Sequence, residues 1–456
     1  MLTHLQIRHF KAWRDTQAIR LAPLTVFFGS NSSGKSSINQ LLLMLKQTVQ
    51  SPDRKMALHL GDKNTVVELG SFWDIIHAHN NQERLAFELE WQLLKEKTIR
   101  DRHHTFQGNT IKFNAEIGLP NEYRQDMVVH QMSYQLGPTE KTGLTVEMKR
   151  QDNDPQKDRY LLKAFPYQLS SGQSETLPHP IHFYGFPSEV SAQYENADFV
   201  YELMLALEKR LQNIYYLGPL REPPQRYYRW AGEKPESVGW RGERAIDAIL
   251  AAHDKQIKLR SQNQILSFEM IIFHWLKEMG LIESCELKQV APHRRDYEFL
   301  IKTVGKTDQI NLTDVGFGVS QILPVLTQCF YAPQEATTII EQPEVHLHPS
   351  AQAVLADVFI DAIQAQDEKG NPHNIQLLIE SHSEHFLRRL QRRIAEQKIH
   401  SLDTAIYFCE MTASGSILKA LDIDDYGNIK NWPAKFFGDE VGDLTAMTEA
   451  AIQRRC

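Results

Sequence analysis

An apolar run, Leu24-Thr25-Val26-Phe27-Phe28, leads directly into Gly29-Ser30-Asn31-Ser32-Ser33-Gly34-Lys35-Ser36-Ser37, and apolar residues at helical spacing follow, Ile38, Leu41, Leu42 and Leu45. Strand, loop and helix in that order, carrying G-x-x-x-x-G-K-S, constrain this chain more than any other feature. Gly29 and Gly34 let the backbone curl so that its N–H groups point inward, towards a phosphate chain. The helix that opens near Lys35 offers its positive end to the same phosphates. Lys35 is placed to reach the β- and γ-phosphates and Ser36 to hold Mg²⁺, so ATP and Mg²⁺ are the expected ligands.

Composition narrows the class. A chain of 456 residues has room for two or three structural units with an ample core. No uninterrupted apolar run reaches the ~18 residues of a membrane span. The start, Met1-Leu2-Thr3-His4-Leu5-Gln6-Ile7, alternates like a strand and lacks the apolar block of a signal peptide. Cys285, Cys329, Cys409 and Cys456 form no C-x-x-C pair and read as reduced thiols, with no zinc site. A cytoplasmic location without membrane attachment is expected. The net charge of −7 gives no global footprint for nucleic acid, although a local basic face stays open.

The order of patterns indicates an α/β nucleotide domain interrupted by other material. Residues 1–50 read as strand, turn, strand, loop and helix. Segments 85–94, 110–117, 127–136 and 143–148 alternate or are rich in β-formers, as in an antiparallel sheet of hairpins. The polar stretches 97–104 and 151–157 read as loops between them. The period then turns helical: Phe199, Leu203, Leu207 and Leu211 share one face, Ile246, Ala248, Ile249, Leu250 and Ile257 do so in a second helix, and 265–279 is a third helix. After about Ala291 the β/α pattern returns. The division expected is 1–65 with 291–410 as a P-loop core, 66–165 as an antiparallel β subdomain, 166–290 as a helical insertion carrying the signature lobe, and 411–456 as a C-terminal extension.

Three further segments carry chemistry. Thr337-Thr338-Ile339-Ile340-Glu341 is a buried strand ending in an acid, the position from which Glu341 can hold Mg²⁺. His346 and His348 follow on a turn, and with no third ligand nearby they read as turn and helix cap rather than as a metal site. Gly316, Phe317, Gly318 and Ser320 form a glycine-rich turn opening a helix, a second anion-binding end. Gln376-Leu377-Leu378-Ile379-Glu380-Ser381-His382 is another buried strand, with His382 at its end placed to sense a γ-phosphate.

This order of phosphate loop, insertion, signature helix, acidic strand and His-ended strand resembles an ABC-type ATPase head of the branch that holds RecF, SMC heads and the overcoming-lysogenization-defect (OLD) nucleases. The opening IRHFKAW and the segment EQPEVHLHP are similar to that branch. YYLGPLREPPQRYY, VGFGVSQILPVL and the tail GNIKNWPAKFFGD resemble a bacterial group of AAA-family ATPases with a short C-terminal extension. ATPases of this kind include those of anti-phage systems, among them the Septu ATPase PtuA. The resemblance implies an ATP sandwiched between two heads, with residues 29–37 binding in cis, Gly316, Phe317, Gly318 and Ser320 capping the γ-phosphate in trans, and His382 as the switch histidine. A homodimer, or a larger assembly of dimers, follows from it.

The sequence departs from that pattern twice. Many relatives carry serine where Gly316 falls. More seriously, the glutamate that usually follows the Mg²⁺-binding acid is here Gln342, and an amide cannot accept a proton. General-base catalysis is worth ~10²–10⁴-fold, so slow hydrolysis and a long-lived ATP-bound dimer are expected. Two rescues stay open: Glu344 as the base, or Gln342 orienting the water without taking its proton.

Other residues have plainer readings beside the functional ones. Arg221, Arg226 and Arg229, among Tyr215, Tyr216, Tyr227 and Tyr228, read either as phosphate or base contacts or as a rigid loop. Arg388, Arg389, Arg392 and Arg393 read as a solvated helix face paired with Glu384 and Glu396. Trp432, Pro433, Phe436 and Phe437 read as a packing anchor or a partner contact. Asp422, Asp424 and Asp425 resemble a metal cluster, but too little chain follows His382 for a nuclease domain. Two functions therefore compete: an ATP-dependent switch or scaffold in a defence complex with a separate, HNH-type nuclease, and a RecF-like repair ATPase binding nucleic acid directly.

Overall fold

The structure is a computed structural model that describes residues 1–100, 105–121, 126–137, 143–151, 159–165, 176–193, 197–262, 264–413, 415–433, 436 and 440–454. Its centre is a six-stranded sheet in the order Ile214–Leu217, Thr337–Glu341, Gln376–Glu380, Leu24–Gly29, Thr404–Thr412 and Gly415–Ala420. The first five strands are parallel, and the sixth returns as an antiparallel hairpin. Crossover connections cover both faces of a parallel sheet, so its strands are apolar throughout rather than alternating. Thr337–Glu341 and Gln376–Glu380 are accordingly buried at every position.

Successive residues of each strand feed two cores. Phe27, Ile339 and Leu378 pack on one side with Ile38, Leu41 and Leu45 of the helix Lys35–Gln50. Val26, Phe28, Ile340 and Ile379 pack on the other, under the helices Phe317–Tyr331 and Pro349–Gln364. The second helix is started by His348, whose ring accepts from the Ser350 N–H, with Pro349 at the first helical position. His346 lies against Phe317, ring centroids 5.8 Å apart. The two histidines thus serve a turn and a cap.

An eight-stranded antiparallel sheet joins the first core. Leu2–Phe10 pairs with Leu85–Arg100, and Thr105–Gly118, Val128–Leu136, Leu144–Arg150 and Tyr160–Phe165 follow in order. Alternating burial along Thr105–Gly118 marks a sheet with one solvated face.

Several sequence expectations need correction. The strand Leu2–Phe10 belongs to this antiparallel sheet and not to the nucleotide core; its half-buried alternation suits a one-faced sheet. Residues 291–316 are also outside the core sheet: Asp296–Lys302 and Gln309–Asn311 sit in a separate four-stranded antiparallel sheet with Ser284–Gln289 and Tyr228–Arg229. Conversely, Ile214–Leu217, inside the stretch read as helical, is the edge strand of the core. Four residues are too few to show a period against the helix Asp198–Gln212 that precedes them. The third helix starts at Phe268, because Gln264–Ser267 pairs as a hairpin with Lys258–Ser261, and the second ends at Asp254, before Ile257. Residues 97–100 extend a strand. The rest of that polar stretch, residues 152–157, Phe437 and Cys456 lie outside the described residues.

Among the described residues no helix is long and apolar enough to cross a membrane. Cys285, Cys329 and Cys409 are free thiols.

Candidate nucleotide site

Parallel register brings the carboxyl ends of the strands to one edge, where ligands of open α/β sheets bind. Gly29, Glu341 and Glu380 all end their strands there, with Glu341 opposite Glu380 in register. Gly29 has φ 142° and Gly34 φ 89°. A Cβ on Gly29 would lie 2.2 Å from the Cys409 carbonyl oxygen, and one on Gly34 would crowd Trp13 and Ser416. Both positions therefore require glycine. Ser32, at φ 61°, completes the curl, and Ser33 is buried, its hydroxyl donating to the Ser30 carbonyl at 2.8 Å. The Trp13 indole donates to the Gly34 carbonyl at 3.0 Å and holds the end of the loop.

The helix Lys35–Gln50 has no side-chain cap and no acid in its first turn, so its N–H groups and dipole are left for an anion. The Lys35 ammonium is buried, donating to the carbonyls of Gly29 (3.1 Å) and Ser30 (2.8 Å), and lies 3.9 Å from Glu380. Burial lowers its pKa, against the pull of Glu380. The Ser36 hydroxyl donates to both Glu380 oxygens, at 2.9 and 3.2 Å. Ser37 begins the helical ladder, its N–H donating to Gly34. Asn31 lies exposed at the loop's tip.

The Ser36 hydroxyl thus meets Glu380 rather than Glu341. Glu341 lies one strand over, bonded by the Asn39 amide at 3.3 Å and by the Tyr216 hydroxyl. Burial first, then the neighbouring Glu380, pushes its pKa up to about 7; burial also raises Glu380 and Glu344. Three buried carboxylates in one place are costly to keep ionised, and such perturbation marks functional sites. The donor set fits Mg²⁺: the oxygens of Ser36, Glu380 and Glu341 are hard ligands, and Mg²⁺ takes one or two carboxylates plus substrate phosphates. Among the described residues no group of three His, Cys, Asp or Glu side chains is placed to hold a metal by itself.

Because the folded pKa of Glu341 exceeds its ordinary value of 4.5, the folded state binds its proton more tightly. Stability is therefore lost as pH rises from about 4.5 to about 7 and is level above that. Glu341→Gln should stabilise the nucleotide-free protein by roughly 3 kcal/mol at pH 8 and by little at pH 4.5. Urea melts at the two pH values check this, and an equal effect at both would refute it.

The turn after Glu341 sets the remaining chemistry. Gln342 is half-buried with φ +46°, a left-handed conformation that costs about 1–3 kcal/mol in a non-glycine residue. Its N–H donates to the Glu380 carbonyl at 2.8 Å. Glu344 is buried; one carboxylate oxygen accepts the His382 N–H at 2.5 Å, and the other is sealed from solvent without a hydrogen bond. Glu344 therefore joins the Gln342 turn to the end of the next strand. His382 lies exposed just past the end of its strand; desolvation by the surrounding protein, then the Lys35 charge, lowers its pKa. Arg221 is buried behind the turn, donating to the Glu341 carbonyl at 3.1 Å.

Gly316, Phe317, Gly318 and Ser320 open a separate helix. Gly316 caps Phe317–Tyr331, Phe317 is 69% exposed, and the Ser320 hydroxyl donates back to the Phe317 carbonyl. A Cβ on Gly316 meets nothing within 4 Å, so a serine fits there. Gly318 packs on the His346 carbonyl.

The remaining candidates resolve into structure. Arg226 pairs with Asp314 at 2.7 Å, and Arg229 lies in the short strand Tyr228–Arg229. Arg388 pairs with Glu384, Arg392 with Glu396, and Arg389 and Arg393 with Asp357. Asp424 accepts the N–H groups of Tyr426 and Asn428, Asp422 pairs with Lys430, and Asp425 accepts from Ser401. Sequence reasoning gave no role to Trp13, Asn39, Tyr216 or Glu380. Glu380 carries the same signal as Glu341, a buried strand ending in an acid. Nothing in the spacing pointed to Asn39 or Trp13.

A family profile described as "AAA domain, putative AbiEii toxin, Type IV TA system" matches residues 24–388, and one described as "Protein of unknown function (DUF3696)" matches residues 399–447. No curated protein matches. Similar solved structures include an SMC head bound to the C-winged helix domain of ScpA, 11% identical with a TM-score of 0.41, covering 92% of this chain and 98% of that one. The SMC head domain from Thermotoga maritima is 9% identical with a TM-score of 0.40, covering 92% and 99%. An SMC head with an extended coiled coil from Pyrococcus furiosus, bound to the C-terminal domain of ScpA, is 10% identical with a TM-score of 0.38, covering 99% of both chains.

Proposed function

The chain belongs to the family described as "AAA domain, putative AbiEii toxin, Type IV TA system", and from that premise we propose a slowly hydrolysing ATPase head that closes around ATP with a second copy and works as a switch. The observation that carries this reading is the strand-end cluster: Lys35 and Ser36 on Glu380, Glu341 beside them, and an amide, Gln342, where the base is expected. Residues 29–37 bind the triphosphate, and Ser36, Glu380 and Glu341 would hold Mg²⁺, which would supply charge neutralisation on the phosphates. Gln342 orients water without taking its proton. His382 reads the γ-phosphate. Gly316 and Phe317, on an exposed helix start, with Gly318 beside them and the buried Ser320 one turn in, serve the partner copy's nucleotide. The core, β subdomain, signature lobe and extension are proposed as its working parts, with the corrected strand assignments.

The setting we propose is a bacterial anti-phage complex in the cytoplasm, like the Septu system, in which this chain is the regulatory or scaffold subunit and a separate HNH-type nuclease does the cutting. The toxin–antitoxin wording of the family description supports a defence role. The acids paired with Arg388, Arg389, Arg392 and Arg393 leave that helix poorly suited to nucleic acid. Tagged protein expressed from its native locus should retain a nuclease through purification, and duplex DNA should leave ATP turnover within 2-fold. Turnover stimulated ~10-fold or more by DNA, with no nuclease retained, would put the RecF-like reading in its place.

A further inference from the structure

The strand that enters the phosphate loop is gripped from outside the nucleotide core. Phe28 precedes Gly29, and its ring lies between Phe386 (centroids 6.2 Å apart) and Phe436 of the C-terminal extension (5.6 Å). Phe436 also stacks on Phe408 at 4.6 Å and 29°, and Phe408 is the register partner of Phe28. Trp432 meets Phe436 edge-on at 5.1 Å, and the Arg388 guanidinium covers Trp432 at 4.9 Å. Arg388 lies on the helix Glu384–Ala395, whose cap Ser383 directly follows His382.

The extension is firmly seated before it reaches these rings. Leu421 and Ile429 are buried in the second core. The Gln391 amide donates to the Gly427 carbonyl at 2.7 Å, and a Cβ on Gly427 would lie 2.2 Å from the Gln391 carbonyl oxygen. The aromatic grip thus touches both the strand that ends in Gly29 and the helix that begins after His382.

We propose that Trp432 and Phe436 are positioning residues for the nucleotide site: the C-terminal extension fixes Phe28, and through it the first residue of the phosphate loop. This gives a role to a segment that otherwise matches only a family of unknown function. The loop has no slack at that point, because Gly29 rests on the Cys409 carbonyl, one residue beyond Phe408. Loss of the Phe436 ring frees Phe28 and Phe408 together and lets Gly29 drift from the position that aims the loop's N–H groups. The proposal rests on the nucleotide-site reading above.

ATP affinity of the full chain, measured by equilibrium dialysis, tests it. Aromatic contacts of this kind are worth a factor of roughly 3–10, so Phe436→Ala should weaken ATP binding by about that much, with Trp432→Leu in the same direction. Phe436→Tyr should restore it. Phe299→Ala, which removes a buried ring facing Phe273 in the small antiparallel sheet, should lower the melting temperature without changing ATP affinity. If the wild type binds ATP and Phe436→Ala and Trp432→Leu bind it equally well, the positioning role is wrong and the nucleotide site stands. If Phe299→Ala weakens ATP binding as much as Phe436→Ala at equal loss of stability, the effect is general loosening and the role is likewise wrong. If the wild type binds no ATP, both readings fall.

Discussion

Gln342→Glu should accelerate ATP hydrolysis ~10²–10⁴-fold, the usual worth of a well-placed general base. The residue is half-buried at the carboxyl end of Thr337–Glu341, its N–H fixed on the Glu380 carbonyl, so a carboxylate there inherits a defined position. Gln and Glu are nearly isosteric, and the left-handed backbone is occupied already. The other carboxylate within reach is Glu344, which does not fit the role of base. One of its oxygens is taken by the His382 N–H, and the other has no accessible surface through which to meet a water. Glu344→Gln should therefore leave single-turnover hydrolysis within a few-fold of wild type, the lost charge affecting the turn rather than the chemistry. A fall of 10²-fold or more in Glu344→Gln, with no gain in Gln342→Glu, would make Glu344 the base.

Lys35→Ala should weaken ATP binding roughly 10²-fold, the loss expected for a charge-assisted hydrogen bond to a triphosphate. The ammonium also donates to the carbonyls of Gly29 and Ser30 and stands near Glu380. Its removal leaves Glu380 with only the Ser36 hydroxyl among these partners and raises that carboxyl's pKa further. Lys35→Arg should not rescue binding, because a planar guanidinium cannot replace the compact ammonium that is buried on the Gly29 and Ser30 carbonyls. Equilibrium dialysis reports affinity and a melting curve separates it from stability. Retained affinity in Lys35→Ala would remove the phosphate loop from nucleotide binding.

The curled loop from Gly29 to Gly34 and the helix after it were legible because a short pattern sets them: two glycines at positive φ, a lysine and a serine come in fixed chain order, whatever packs around them. Glu341 was legible for a related reason, since a buried parallel strand shows as an apolar run with the acid as its last residue, and Glu380 carries the same pattern without having been given a role. The partners that come from distant chain segments were not. Tyr216 and Arg221 reach Glu341 because Ile214–Leu217 is the edge strand of the core, which a four-residue apolar run between helices cannot announce. The division at Ala291 failed because alternation in Asp296–Lys302 identifies a strand but not the sheet it joins. The arginines of Glu384–Ala395 look the same in sequence whether solvated or bound to a ligand; that Arg389 and Arg393 share Asp357, on a neighbouring helix, is a long-range contact their own spacing does not show.

The most direct test gives wild-type protein saturating labelled ATP and Mg²⁺ and follows phosphate release through the first turnover while its mass is read by light scattering. A mass that doubles on ATP addition and stays doubled, with the label still ATP after many minutes, is the expected result. Phosphate released within seconds, or a monomer throughout with ATP bound, would contradict an ATP-locked dimer.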